Sequence, residues 1–212
     1  MKENLIVRTT ELALKLISEY LEPGDTALDG TMGNGSDTLA LADMVGIGEG
    51  KGTVYAFDIQ QKALDNTSEL LRKNHYECYV VKDRNRSIEN LLQDDDGKIL
   101  LFLESHENLG IHVKKPLDGA IFNLGYLPGE EREIVTKPDS TVAALEQTEA
   151  LLKAGGIMVV VIYSGHAGGA EEKAAVLEHL AALPASTFHA NLITAVNQPP
   201  DAPAIALVTR KK

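Results

Sequence analysis

Thr26-Ala-Leu-Asp-Gly-Thr-Met-Gly-Asn-Gly-Ser-Asp-Thr38 decides the fold of this chain. An apolar run, Thr26-Ala-Leu28, reads as a short strand. A glycine-rich turn follows it, and Ser36 then opens a helix with Asp37 in its first turn. Strand, glycine turn and helix start in that order form the ligand-binding corner of an open α/β sheet. Glycines let the backbone approach a ligand closely. The helix start offers free N–H groups and the positive end of its dipole, which suits a carboxylate as well as a phosphate. The turn Gly33-Asn34-Gly35 departs from Gly-x-Gly-x-x-Gly because Thr38 stands where a third glycine would be. That disfavours a nicotinamide-dependent oxidoreductase, and without a Gly-Lys-Ser/Thr tail the turn is not a P-loop.

Outward from this corner the pattern alternates. Thr9 to Leu21 reads as a helix capped by Thr9 or Thr10. Ser36 to Met44 is a helix capped by Ser36, Thr53 to Asp58 a strand, and Gln61 to Lys73 a helix. Gly97 to Leu103 and Asp118 to Phe122 are strands. Ser140 to Leu152 is a helix capped by Asp139 or Ser140 and stopped by Gly155-Gly156. Ile157 to Tyr163 is a strand and Glu171 to Leu183 a helix ended by Pro184. Phe188 to Val196 and Ala204 to Thr209 are strands with no helix between them, so they are antiparallel neighbours. This predicts a Rossmann-like α/β domain with a seven-stranded, mostly parallel sheet and one antiparallel strand. Residues 1–212 read as one domain. Within 74–96, Cys78-Tyr-Val-Val81 is a candidate strand and Ile88 to Leu92 a candidate short helix, with no assigned place in the sheet.

Composition bounds the function. With 212 residues and 44% hydrophobic content, the chain suffices for a full core. No apolar run is long enough to span a bilayer, and the first residues lack the apolar core of a signal peptide. The single cysteine, Cys78, forbids an internal disulfide and fits a cytosolic location. One cysteine and six scattered histidines supply no structural zinc set, so no metal is expected. A formal charge of −11 argues against broad phosphate binding and leaves only local basic groups. Lys82, Arg84 and Arg86, Lys114 and Lys115, and Arg210-Lys-Lys212 are such groups, and each taken singly reads as solvated surface.

Two further features carry chemistry. Asp58 ends the second strand, where a carboxylate accepts both hydroxyls of a ribose, and Gln60 stands at the same edge. Asn123-Leu-Gly-Tyr126 ends the run Ala120-Ile-Phe122. An Asn oxygen can accept the protons of an amine and aim its lone pair. An aromatic ring three positions on can stack on a planar base. A nucleotide-like cofactor on one side and an amine on the other point to N-methyl transfer with S-adenosylmethionine as donor. Taken alone, Asn123 and Tyr126 also read as a strand end and a core ring. Ser105-His-Glu107 follows the third buried strand, near the adenine end of such a site, and reads equally as a polar loop. His166, in Tyr163-Ser-Gly-His-Ala-Gly-Gly169, is a candidate for substrate contact or proton transfer.

Five segments in order carry a resemblance: Asp29 to Thr38, Ser105 to Glu107, Phe122-Asn-Leu-Gly-Tyr-Leu-Pro-Gly129, Thr136-Lys-Pro-Asp-Ser-Thr141 and Tyr163 to Gly169. They resemble the small bacterial methyltransferases long labelled rRNA methylases and now associated with the wobble uridine of tRNA. The resemblance implies methylation of the aminomethyl group of 5-aminomethyl-2-thiouridine by a class I S-adenosylmethionine-dependent enzyme, and a homodimer. It places cofactor binding on Asp29, Gly33, Asn34, Gly35, Asp37, Thr38, Asp58, Gln60, Ser105 and His106. It places the substrate end on Asn123, Tyr126, Tyr163 and His166. The chain departs from the family in the length of 74–96, a candidate insertion, and in Glu130-Glu-Arg132, where the family tends to continue with glycine. The rival expectations are a methyltransferase acting on ribosomal RNA or a small amine, an NAD(P)-dependent oxidoreductase, and a non-catalytic tRNA-binding protein.

Overall fold

In the computed structural model, residues 8–81, 95–125 and 135–212 are described. The elements run α1 (Thr9–Ser18), β1 (Thr26–Asp29), α2 (Ser36–Met44), β2 (Thr53–Asp58), α3 (Gln61–Lys73), β3 (Cys78–Val81), β4 (Lys98–Leu103) and α4 (Leu109–His112). They continue with β5 (Leu117–Leu124), α5 (Pro138–Leu151), β6 (Leu152–Ile162), α6 (Gly169–Ala181), β7 (Phe188–Ile193) and β8 (Ala204–Arg210). Short 3-10 turns occupy Ile47–Glu49 and His106–Asn108.

The strands form one sheet in the order β3-β4-β2-β1-β5-β6-β8-β7. Pairings from β3 to β6 are parallel, and β8 is antiparallel to both β6 and β7. The expected plan of one reversed strand near the end therefore holds. The count does not: among the described residues the sheet has eight strands, because Cys78–Val81 adds a parallel edge strand beside β4. The strand is four residues long, and Tyr79 and Val80 stay partly exposed, so it lacks the strong burial pattern that marks the inner strands. Ile88 to Leu92, with Lys82, Arg84 and Arg86, lies outside the described residues.

Side-chain alternation divides the core between the two sheet faces. Val54 and Ala56 of β2 point to a cluster with Ala13 and Ile17 of α1, Leu41 of α2, and Leu64 and Leu71 of α3. Tyr55 and Phe57 point the opposite way, to Leu109, Leu145, Val176 and Leu180 of α4, α5 and α6. Phe57 stacks on Phe102 with ring centroids 4.5 Å apart. Inner strands buried on both faces read as continuous apolar runs, as β4 and β6 do.

Several boundaries differ from expectation. Helix α2 is capped by Gly35 in a left-handed conformation, and Ser36 is its first residue. Helix α1 has Arg8 at its cap and no side-chain cap bond, so Thr9 and Thr10 lie inside it. Helix α5 starts at Pro138, whose fixed φ suits a first turn, and Lys137 is the cap. Gly155-Gly156 does not stop that helix. The chain enters β6 at Leu152, and Gly155, with φ +85°, lies where the β5–β6 register shifts.

Candidate active site

A cleft of about 1400 Å³ opens at the carboxyl ends of the central strands, where the order reverses between β1 and β5. Its walls include Gly33, Asn34, Asp37, Asp58, Gln60, Ser105, His106, Asn123 and Tyr163. Nine of the expected site residues are thus brought to one cleft from five separate stretches of chain.

The glycine turn is built by bonds the sequence did not disclose. Asp29 is fully buried beneath it. Its Oδ2 accepts from Thr38 Oγ1 at 2.6 Å and its Oδ1 from the Thr31 N–H at 3.1 Å. Gly33 takes φ +52° and donates its N–H to Asp58 Oδ2 at 3.1 Å. Its carbonyl accepts from Thr67 Oγ1 of α3 at 3.1 Å. Asn34 Oδ1 accepts from Asn66 Nδ2, also on α3, at 2.8 Å. Asp29, Gly35 and Thr38 do not line the cleft. Gly35 packs on Thr67, and Asp29 and Thr38 hold the turn from below. Gly30 sits where a Cβ would lie 2.0 Å from the Phe122 ring, so only glycine fits that approach of β1 to β5.

Asp58 is tied on both oxygens, since Oδ1 also accepts from the Gln60 N–H at 2.9 Å. Each carboxylate oxygen retains acceptor capacity for a ligand hydroxyl. His106 Nδ1 lies 3.2 Å from the Gly30 carbonyl oxygen, a group that only accepts. The proton therefore sits on Nδ1, and Nε2 is a buried acceptor without a partner among the described residues. Burial pushes the His106 pKa down, which keeps the ring neutral.

Asn123 is fixed at both its backbone and its side chain. Its N–H donates to Thr31 Oγ1 at 2.6 Å, and its Nδ2 donates to Asp37 Oδ2 at 2.7 Å. That leaves Asn123 Oδ1 as a buried acceptor with no partner among the described residues. Three carboxylates crowd this corner. Burial, then the charge of Asp37, pushes Asp29 up to about 7 against the bonds from Thr38 and Thr31. Burial raises Asp37 and Asp58 as well, while the Asn123 amide pulls Asp37 back down.

His166 stands apart from the cleft wall, behind Gly125; a Cβ on Gly125 would meet its Nε2 at 3.5 Å. Tyr126, Pro128-Gly129 and Glu130-Glu-Arg132 lie outside the described residues. Thr31, Met32, Phe57, and the rim made by Arg8-Thr9-Thr10 and Lys137 to Ser140 also line the cleft. Thr31 lay in plain view within the glycine turn, but its hydroxyl's reach to Asn123 depends on β1 and β5 being neighbours. Among the described residues no group of three His, Cys, Asp or Glu could hold a metal ion, and no helix is long and apolar enough to cross a membrane.

The family described as "Putative rRNA methylase" matches residues 54–209. The chain is 36% identical, over 91% of its length, to the tRNA (mnm5s2U34)-methyltransferase, chloroplastic, of Arabidopsis thaliana, and spans 66% of that protein, just under two thirds of its length. A crystal structure of a "putative rRNA-methylase" from Clostridium thermocellum superposes with a TM-score of 0.83 at 32% identity, covering 98% of this chain and 100% of that one. A "putative methyltransferase" from Streptococcus mutans, solved in complex with SAH, superposes with a TM-score of 0.79 at 30% identity, covering 97% and 99%.

Proposed function

Because the chain belongs to the rRNA methylase family, we propose that it is an S-adenosylmethionine-dependent methyltransferase of tRNA, acting on the aminomethyl nitrogen of 5-aminomethyl-2-thiouridine at the wobble position. The observation that carries the target atom is the Asn123 amide. Asp37 fixes its Nδ2, so Oδ1 is left as the amide's buried, unsatisfied acceptor among the described residues, on a residue that lines the cleft, and an amine proton would satisfy it. The tRNA part of the reading draws on the likeness to the chloroplastic relative.

The residues present fit the cofactor. S-adenosylmethionine offers donors at its ribose hydroxyls, its adenine amino group and its methionine ammonium. The cleft offers acceptors at Asp58, at His106 Nε2, which has no partner among the described residues, and at Asp37. Asp58 would hold the ribose, the Gly33–Gly35 turn the methionine end, and Ser105 and His106 the adenine end. When bound, the cofactor supplies an electrophilic methyl on a sulfonium. Asn123 Oδ1 orients the neutral amine so that its lone pair lies in line with that methyl, and positioning of this kind supplies much of the rate. Tyr163 also lines the cleft and is assigned to the substrate end. In this reading the resemblance assigns Tyr126 to stack on the uracil ring, while His166, which stands behind Gly125, takes no direct part at the cleft wall. The assembly is a cytosolic homodimer, and sedimentation of the purified protein tests the dimer.

The deciding experiment is methyl transfer to tRNA carrying 5-aminomethyl-2-thiouridine, followed by nucleoside mass spectrometry. Loss of that nucleoside with appearance of its methylaminomethyl form is expected. Cofactor binding without tRNA methylation rejects the substrate and turns the search to ribosomal RNA and small amines.

A further inference from the structure

Thr136-Lys-Pro-Asp-Ser-Thr141 plays no part in the chemistry above, yet both of its threonines converge on one buried carboxylate. Glu172, in the first turns of α6, is 1% exposed. It accepts from Thr136 Oγ1 at 2.8 Å through Oε2 and from Thr141 Oγ1 at 2.6 Å through Oε1. Thr136 Oγ1 in turn accepts from the Gly125 N–H at 2.9 Å, and the Thr136 N–H donates to the Gly125 carbonyl at 2.9 Å. The result is a relay from α6 through Thr136 to the backbone just past β5. Gly125 has φ +143°, a conformation open to glycine and rarely adopted by residues with side chains, so the chain turns there and the two bonds to Thr136 fix where it goes. It lies two residues beyond Asn123, which lines the cleft.

A carboxylate is costly to bury and is tolerated when its oxygens are hydrogen-bonded and a helix N-terminus lies close. Both conditions hold for Glu172. Thr136 is the joint of the relay because its hydroxyl donates to Glu172 while accepting from Gly125. A methyl in place of that hydroxyl removes both bonds at once.

We infer that Glu172 is a positioning residue, acting through Thr136 on Gly125 to hold Asn123 in register with its substrate. This rests on the methyltransferase reading. Sub-ångström placement matters in such a site, since a displacement of about 1 Å can cost roughly 100-fold in rate.

The test compares Thr136→Val, Thr136→Ser and Glu172→Ala. It measures methyl transfer to tRNA, S-adenosylmethionine affinity by calorimetry, and hydrogen exchange at the Gly125 amide. Thr136→Val and Glu172→Ala are expected to lower kcat by about 10- to 100-fold. Cofactor Kd should stay within about twofold, and Gly125 exchange should quicken. Thr136→Ser, which keeps the hydroxyl, should restore kcat and slow exchange. Wild-type kcat in Thr136→Val, an equal loss in Thr136→Ser, or a parallel loss of cofactor affinity overturns the assignment. Should the wild-type enzyme leave tRNA unmethylated, the substrate reading fails on its own. The Gly125 amide then still decides the relay, and unchanged exchange in Thr136→Val overturns it.

Discussion

Asn123 and Asp37, 86 residues apart in sequence, share a 2.7 Å hydrogen bond that fixes which end of the Asn123 amide remains for a ligand. A carboxylate accepts and an amide nitrogen donates, so Nδ2 is the end bonded to Asp37 and Oδ1 is the end left without a partner among the described residues. The chemistry of the proposed site depends on that orientation.

Asn123→Ala is therefore expected to bind S-adenosylmethionine normally and to lose turnover by roughly 100-fold, the scale of removing one preorganised polar group. Asp37→Ala should also lower kcat, because the Asn123 amide is then free to rotate. Single-turnover kinetics beside calorimetry separates chemistry from binding. Near-wild-type turnover in Asn123→Ala rejects the proposed role.

Asp58→Ala should weaken cofactor affinity by about 10- to 100-fold, as expected for losing hydrogen bonds to a charged group. Two effects combine here. The ribose acceptor disappears, and the Gly33 and Gln60 N–H groups lose their partner. An unchanged Kd by calorimetry would exclude Asp58 from the site.

Asp29 gives a pH prediction. Its folded pKa is raised from 3.8 to about 7, so the folded state holds a proton that the unfolded chain releases near pH 4. The stabilisation tied to that proton is complete below pH 4 and is lost as pH rises toward 7. Asp29→Asn, which stays neutral, should show a smaller fall in melting temperature across that window than wild type. Since the charge of Asp37 helps raise Asp29, Asp37→Asn should shift the Asp29 midpoint downward in a carbon-13 NMR titration. A midpoint near 4 in the wild-type protein rejects this account.

Gly30→Ala tests the packing of β1 against β5. The added Cβ would meet the Phe122 ring at 2.0 Å, and overpacking of this kind costs about 1–3 kcal/mol. Urea denaturation should show that loss, with part of it recovered in Gly30→Ala combined with Phe122→Leu. A wild-type midpoint for Gly30→Ala would mean that the ring moves aside freely.

The sequence carried most of the fold because local signals and burial agree along it. Thr53–Asp58 and Gln61–Lys73 are legible to the residue, since a run of β-branched and aromatic side chains gives way to an amphipathic helix. The edge strand Cys78–Val81 was legible only as a candidate. Its four residues bury little, and its identity as a strand depends on β4 lying alongside. Boundaries slipped where backbone geometry overrides side-chain preference. Gly155 reads as a helix stop, yet it serves a register shift inside β6.

The glycine turn, Asp58 and Asn123 announce themselves because each stands at a strand end with a residue type suited to binding, and one sequence suffices to name them. The sequence could not assign partners among them. Asp29 and Thr38 appear there as ligand-binding residues, and in the fold they brace the turn from beneath. His166 appears as a cleft residue and stands behind Gly125. Asp37 meets Asn123, and Glu172 meets Thr136, only because the sheet sets β1 beside β5 and packs α6 against α5. Residue type and spacing along the chain thus determined which groups gather at the sheet's carboxyl edge. Which of them touch was decided by strand order, since a hydrogen bond of 2.6–2.8 Å between residues 31–86 positions apart exists only once the intervening chain has folded.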